Sequence, residues 1–280
     1  MKGHWSSLPG YVLPPLLFLA LVVALWHLAA VWFELPSYLV PRPGEVVAVA
    51  LRNAGAIGSA MRITASAALC GFALSLMAGT LVAFAFSQSR LIERSLYPYA
   101  IFLQTVPIVA IAPLIVTWFG TGFRSVVIAA FIISLFPIIT SATAGLTAVD
   151  PNLRELFQLY NASRWQTLIK LRLPHAVPYL VTGAKVSSGL AVIGSIVGEF
   201  FVGYGARSHG LGYLIVQTSG QLKTDYLFAA VLASTTLGLA IFAAVSLFGA
   251  LLLRRWHVAT PSRGLSADKS PSRLGQKKTT

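Results

Sequence analysis

Charge is scarce in this sequence, and negative charge scarcer still: its 280 residues carry 8 Asp and Glu against 21 Lys and Arg, 10% charged in all. A water-soluble domain carries roughly 25% charged residues. With 56% hydrophobic residues and a mean hydropathy of +0.76, a soluble globular protein is excluded. The single cysteine, Cys70, excludes an intrachain disulfide and a cysteine-based metal site, and its apolar surroundings predict a small core residue. The five histidines, His4, His27, His175, His209 and His257, stand at no ligand spacing, so no metal site is expected. No phosphate-cradling Gly-x4-Gly-Lys-Ser/Thr, no His-Glu-x-x-His and no nucleophile–base set occurs, and no catalytic residue is expected. The alternating apolar and polar decads of a membrane β-barrel are missing as well.

Long apolar runs are what the chain has instead. A helix needs about 20 apolar residues to cross roughly 30 Å of hydrocarbon. Segments near 11–33, 65–86, 100–120, 125–147, 176–201 and 227–253 qualify. Backbone groups in lipid must bond within their own segment, so the expectation is an all-α, polytopic membrane protein with six transmembrane helices. The first run exceeds a signal-peptide core of about 7–15 residues and no Ala-x-Ala-like site follows, which predicts an uncleaved span. With the N-terminus cytoplasmic, fourteen Lys and Arg fall on the inner side and six on the outer, with Lys185 inside a span. Both termini are therefore expected in the cytoplasm.

The expected layout is a cytoplasmic N-terminus (1–10), a six-helix membrane domain (11–253) with a polar loop at 148–175, and a basic tail (254–280). The tail is rich in Ser, Pro, Lys and Arg and too polar to fold; it reads as an anchor on the inner leaflet, since no folded basic module for nucleic acid accompanies it. After span one, Pro36, Pro41, Pro43 and Gly44 break the helix, and a short amphipathic helix over about 45–54 is expected on the outer surface. Span three holds Pro107 and Pro113 and span four Pro137, each predicting a kink. Span five carries small residues at spacing four (Gly183–Ser187, Ala184–Ser188, Gly194–Gly198), which permits close helix approach. It also holds Lys185. A charge there marks a functional site, or else the long stem snorkels to the inner surface.

The polar loop has its own folding signals. Asp150 before Pro151 is an N-cap with proline at the first helical position. Leu153, Leu156, Phe157 and Tyr160 form one apolar stripe, and Asn161 can end the helix in a left-handed conformation. Ser163 and Gln166 then form a capping-box pattern for a second helix, whose apolar face is Trp165, Leu168 and Ile169, with Arg164, Lys170 and Arg172 around the rest. Pro174 marks the approach to span five. Each helix is too short to be stable alone, so the pair must dock on something.

This loop resembles the EAA loop of ABC-importer permeases: Glu-Ala-Ala, three residues, Gly, nine residues, Ile-x-Leu-Pro. Glu155, Leu156, Phe157, Asn161, Leu171, Leu173 and Pro174 occupy the patterned positions; Leu156 and Phe157 replace the two alanines, and Asn161 replaces the glycine. The phrases LVPRPGEVV, PIVAIAPLIVTWFGTG, GEFF and GLGYLI are similar to the same family, over roughly residues 35–255. The likeness is to the subfamily of sulfonate, taurine and nitrate importers, with thiamine-precursor and riboflavin-type permeases.

The resemblance implies a type I ABC importer permease fold with a cytoplasmic coupling helix between spans four and five, in the bacterial inner membrane. It implies a homodimer, two cytoplasmic ATPase subunits that bind ATP and Mg, and a periplasmic or lipid-anchored binding protein. This chain would bind no cofactor and catalyse no covalent step. Glu155, Leu156, Phe157, Asn161, Ala162, Ser163, Arg164, Leu173 and Pro174 would couple to the ATPase, and Gln104, Pro107, Lys185 and Glu199 are candidates for the pathway. The solute would be a sulfonate-, taurine- or nitrate-like anion or a vitamin precursor. The rival reading is a self-sufficient secondary transporter or channel, against which stands the lack of a clear repeat between spans one to three and four to six.

Overall fold

The structure is a computed structural model that describes residues 8–202 and 209–255, and all regular structure among them is helical. Eleven helices follow in order: α1 (Leu8–Trp32), α2 (Pro43–Arg52), α3 (Ala54–Gln88), α4 (Arg90–Thr105), α5 (Ile108–Phe119), α6 (Phe123–Thr147), α7 (Pro151–Leu159), α8 (Arg164–Thr167), α9 (Leu173–Val202), α10 (Leu211–Gly220) and α11 (Thr224–Arg255). A π-helical turn, Leu168–Arg172, joins α8 to α9. Five stretches are long and apolar enough to cross a membrane, and the bent pair α4–α5 makes a sixth.

Helix α6 is the centre of the bundle, packed between α3 and α9. Lipid tails are as apolar as leucine, so what holds such helices together is close packing and interhelical hydrogen bonds. Both are visible. A Cβ on Gly194 would lie 2.7 Å from the Ala130 Cα, and one on Gly183 would lie 2.9 Å from the Pro137 carbonyl. The small-residue spacing of span five therefore marks the α6–α9 crossing. Ser187 Oγ donates to the Ser134 carbonyl at 2.7 Å, and Ser75 Oγ donates to the Phe131 carbonyl at 2.7 Å, linking α9, α6 and α3.

Span three differs from its expected single kinked helix. Pro107 has no backbone N–H and forces Val106 into an extended conformation (φ −72, ψ 121), and the chain turns by 95° between α4 and α5. Pro107 then caps α5, its carbonyl accepting from Ala110 N at 2.9 Å. Pro137 and Pro178, by contrast, lie within unbroken helices. Gly120, at φ 82, makes the tight turn from α5 to α6.

Two further corrections concern α3. It starts at Ala54, eleven residues before the expected span, so the amphipathic helix α2 joins it almost directly. Val46 of α2 is buried against Ile57 and Ala229, which makes α2 part of the bundle. Cys70 is exposed, not a core residue: α3 turns Ala60, Thr64, Ala67, Ala68, Gly71 and Ser75 inward, and position 70 falls outside that face. Helix α1 touches the rest near its C-terminal end, where Ala30 is buried and Trp26 lies 5.6 Å from the Phe228 ring. Of the expected cytoplasmic segments 1–10 and 254–280, residues 8–10 belong to α1 and 254–255 to α11, while 1–7 and 256–280 lie outside the described residues.

Candidate functional site

The polar loop folds as a projection with a capped tip and an anchored base. Asp150 Oδ1 accepts from Asn152 N at 2.8 Å and starts α7. At its end Asn161 takes φ +49, Ala162 N donates to the Phe157 carbonyl and Asn161 N to the Gln158 carbonyl, both at 2.9 Å. This pair of bonds is a Schellman motif with asparagine at the left-handed position. The capping box follows: Ser163 N donates to Gln166 Oε1 at 2.8 Å and Gln166 N to Ser163 Oγ at 3.2 Å.

The second helix is not a separate element, as the sequence suggested. α8 passes through the π-turn straight into α9, so Leu173 and Pro174 form the first turn of the long span. The base is held in three ways. Leu168 is buried among Ala83, Ala142, Leu146 and Ala176. Trp165 packs edge-on to Phe84 at 5.9 Å. Arg172 Nη1 donates to the Ser87 carbonyl at 2.7 Å, placing a cation at the C-terminal end of α3. None of these tertiary partners is visible in sequence, since Ser87 lies 85 positions from Arg172.

The tip has no such support. No residue of α7 is buried; Leu153 and Leu156 are each 44% exposed and Tyr160 is 80% exposed. Glu155 is exposed and Phe157 half-buried. Burying a Leu or Phe side chain stabilises by about 1.5–3 kcal/mol, so the stripe leaves apolar surface unburied on a helix held in a fixed shape.

The four pathway candidates do not form one cluster. Gln104 and Pro107 are exposed at the α4–α5 break. Lys185 lies about 18 Å along α9 from Leu173 by helical rise. It is half-buried, beside the open side of α9 where Thr182, Val186 and Ile193 are exposed, and its ammonium has no bonding partner among the described residues. Glu199 is different: it is only 4% exposed and is held by its own chain. Its carboxylate accepts from Gly212 N at 2.7 Å and from Thr64 Oγ1 at 2.9 and 3.0 Å, while Leu211 N donates to Thr64 Oγ1 at 2.8 Å. Gly210, the residue before α10, has no side chain to cap it, so Glu199 supplies the acceptor from α9. Glu199 is thus a bracket between α3, α9 and α10. GEFF and GLGYLI are partners in space, but Thr64 could not be found from sequence.

Known proteins decide the family. The family model described as the binding-protein-dependent transport system inner membrane component matches residues 71–258. The chain belongs to that family. A probable ABC transporter permease protein of Haemophilus influenzae is 31% identical over 82% of this chain and 93% of its own length. The formylaminopyrimidine transport permease protein ThiX of Halalkalibacterium halodurans is 31% identical over 86% and 95%, and the riboflavin transport system permease protein RibX of Chloroflexus aurantiacus 32% over 90% and 92%. In fold the permease is similar to the inward-facing MetNI methionine ABC transporter, with a TM-score of 0.54 and 17% identity over 68% of this chain and 95% of that one. An amino acid ABC transporter with histidines gives a TM-score of 0.56 and 16% identity over 73% and 96%. This permease is therefore a multi-pass inner-membrane subunit of an ABC importer of small solutes, in a family that works with an ATPase and a substrate-binding protein.

Proposed function

We propose that the permease acts as one half of a homodimer with both termini in the cytoplasm, and that α7 seats in a groove of the ATPase subunit. The bare apolar stripe of α7, on a tip capped at both ends and anchored through Leu168 and Arg172, carries this reading. Leu156 and Phe157 fill the groove, Glu155 and Arg164 flank it, and Asn161, Ala162 and Ser163 fix the turn. Leu173 and Pro174 transmit its movement into α9. ATP and Mg belong to the ATPase; this chain binds no cofactor and catalyses no covalent step. Residues 1–10 and 254–280 are the cytoplasmic ends of a permease domain spanning 11–253.

The pathway runs along the open side of α9, past Lys185, and the Gln104–Pro107 break contributes to it separately. A bare ammonium inside a span is costly against lipid and is tolerated where water or solute reaches it, which supports placing this side toward the partner protomer. Glu199 is assigned to the scaffold instead. The solute we infer is a small heterocyclic vitamin precursor, on the full-length likeness to ThiX and RibX.

Co-purification of the permease with its ATPase tests the coupling. Phe157→Ala is expected to weaken retention of the ATPase by about 10- to 100-fold, the equivalent of one buried aromatic contact. Asn161→Gly keeps the turn and the complex, whereas Asn161→Val, β-branched in a left-handed site, loses it. Retention unchanged in Phe157→Ala and Asn161→Val would overturn the docking, and uptake in vesicles without ATP or a second subunit would favour a secondary transporter. Uptake of taurine but of no pyrimidine or flavin would overturn the solute class.

A further inference from the structure

Behind the projection lies a cavity of about 570 Å³, enclosed by the ends of α3, α4 and α6 and by the base of the loop. Arg94 of α4, Arg154 of α7 and Arg172 of the π-turn all line it. An adjoining space of about 290 Å³ shares Arg154 and Arg172 and adds Arg164. Glu93 is the single carboxylate lining either space among the described residues, and it forms no ion pair with these arginines there. Arg172 uses one donor on the Ser87 carbonyl; a guanidinium has five. The arrangement is an unneutralised excess of positive charge converging on one cavity.

Apolar residues line the cavity as well: Phe86 and Tyr97, with their rings 6.4 Å apart, and Pro98 and Leu146. The cavity therefore offers arginine forks together with apolar side chains at the ends of the long helices. Arginine forks match the oxygens of a phosphate in a planar, bidentate geometry. Arg154 sits about 100° around α7 from Leu153 by helical geometry, so the arginine side and the apolar stripe are separate faces of one helix. Gln158, beside Arg154 on that face, lines the adjoining space.

We propose that this cavity is a phosphate-binding site, held by Arg94, Arg154 and Arg172. The phosphate is either the headgroup of an anionic phospholipid or part of a soluble phosphate compound. Its occupant joins α4 to α7 and stiffens the base of the projection. The site is independent of the docking of α7 to an ATPase, because binding is read directly.

The test uses the full-length permease with its ATPase in nanodiscs. Native mass spectrometry counts phosphatidylglycerol retained from mixed phosphatidylcholine–phosphatidylglycerol discs, and calorimetry titrates pyrophosphate into discs of phosphatidylcholine alone. The expected result is saturable binding of one probe, weakened at least tenfold by Arg94→Gln and by Arg154→Gln, and partly kept by Arg94→Lys. In phosphatidylcholine discs free of either probe, Arg94→Gln should leave ATPase retention and the melting temperature unchanged. Retained phosphatidylglycerol without pyrophosphate binding assigns the site to lipid, and pyrophosphate binding assigns it to a soluble ligand. Binding of neither probe, or binding that Arg94→Gln leaves unaltered, overturns the proposal; should Arg154→Gln not accumulate, the exposed Arg94 decides alone.

Discussion

Replacing Glu199 by alanine tests the bracket that positions α10. The wild-type carboxylate accepts from Gly212 N and from Thr64 Oγ1, in a site that leaves it 4% exposed. A buried donor left without its acceptor costs about 1–3 kcal/mol, so losing two such bonds gives roughly 2–6 kcal/mol. The Gly212 N–H, at the start of α10, would be left buried without an acceptor. Thr64 keeps its bond from Leu211 N, so part of the link between α3 and α10 survives. Glutamine keeps one acceptor oxygen, for Gly212, but turns an amide N–H toward Thr64, so Glu199→Gln should lose roughly half as much. The assay is tryptic cleavage at Lys223, between α10 and α11, on purified protein with thermal unfolding alongside. If cleavage follows the opening of α10, a loss of about 3 kcal/mol speeds it roughly a hundredfold in Glu199→Ala. Cleavage of Glu199→Ala at the wild-type rate, or equal destabilisation by alanine and glutamine, would refute the bracket.

Three other substitutions probe the bundle and the pathway. Gly194→Ala should cost about 1–3 kcal/mol in thermal unfolding, because its Cβ meets the Ala130 backbone at 2.7 Å, whereas Gly189→Ala in the same helix meets nothing within 4 Å and should be neutral. Lys185→Met should leave the fold and ATPase retention intact while lowering uptake in proteoliposomes by an order of magnitude or more; unchanged uptake would make Lys185 a snorkelling residue.

The projection was the most legible part of the molecule. Its caps are local: Asp150 bonds two residues on, Ser163 and Gln166 bond each other, and the Asn161 turn closes within six residues. Signals of that range can be read from the chain alone. What the loop stands on was not legible, because Arg172 to Ser87 and Leu168 to Ala142 are contacts between distant segments. Span three shows the limit in another form. Proline predicts an interruption, but whether it bends a helix or ends one depends on packing, and Pro107 and Pro137 came out on opposite sides.

By itself the sequence determined that this protein crosses a membrane about six times, that a capped helix projects between two spans, and which family it resembles. Length, apolarity and local caps are enough for that, since lipid imposes apolarity on a whole span and capping bonds close within one turn. Only the tertiary structure decided which side of each span faces its neighbours. In lipid both sides are apolar, so apolarity does not distinguish the buried face from the bare one. That is why Cys70 looked like core and is exposed, and why Glu199, a pathway candidate in the sequence, is enclosed by Thr64 and Gly212.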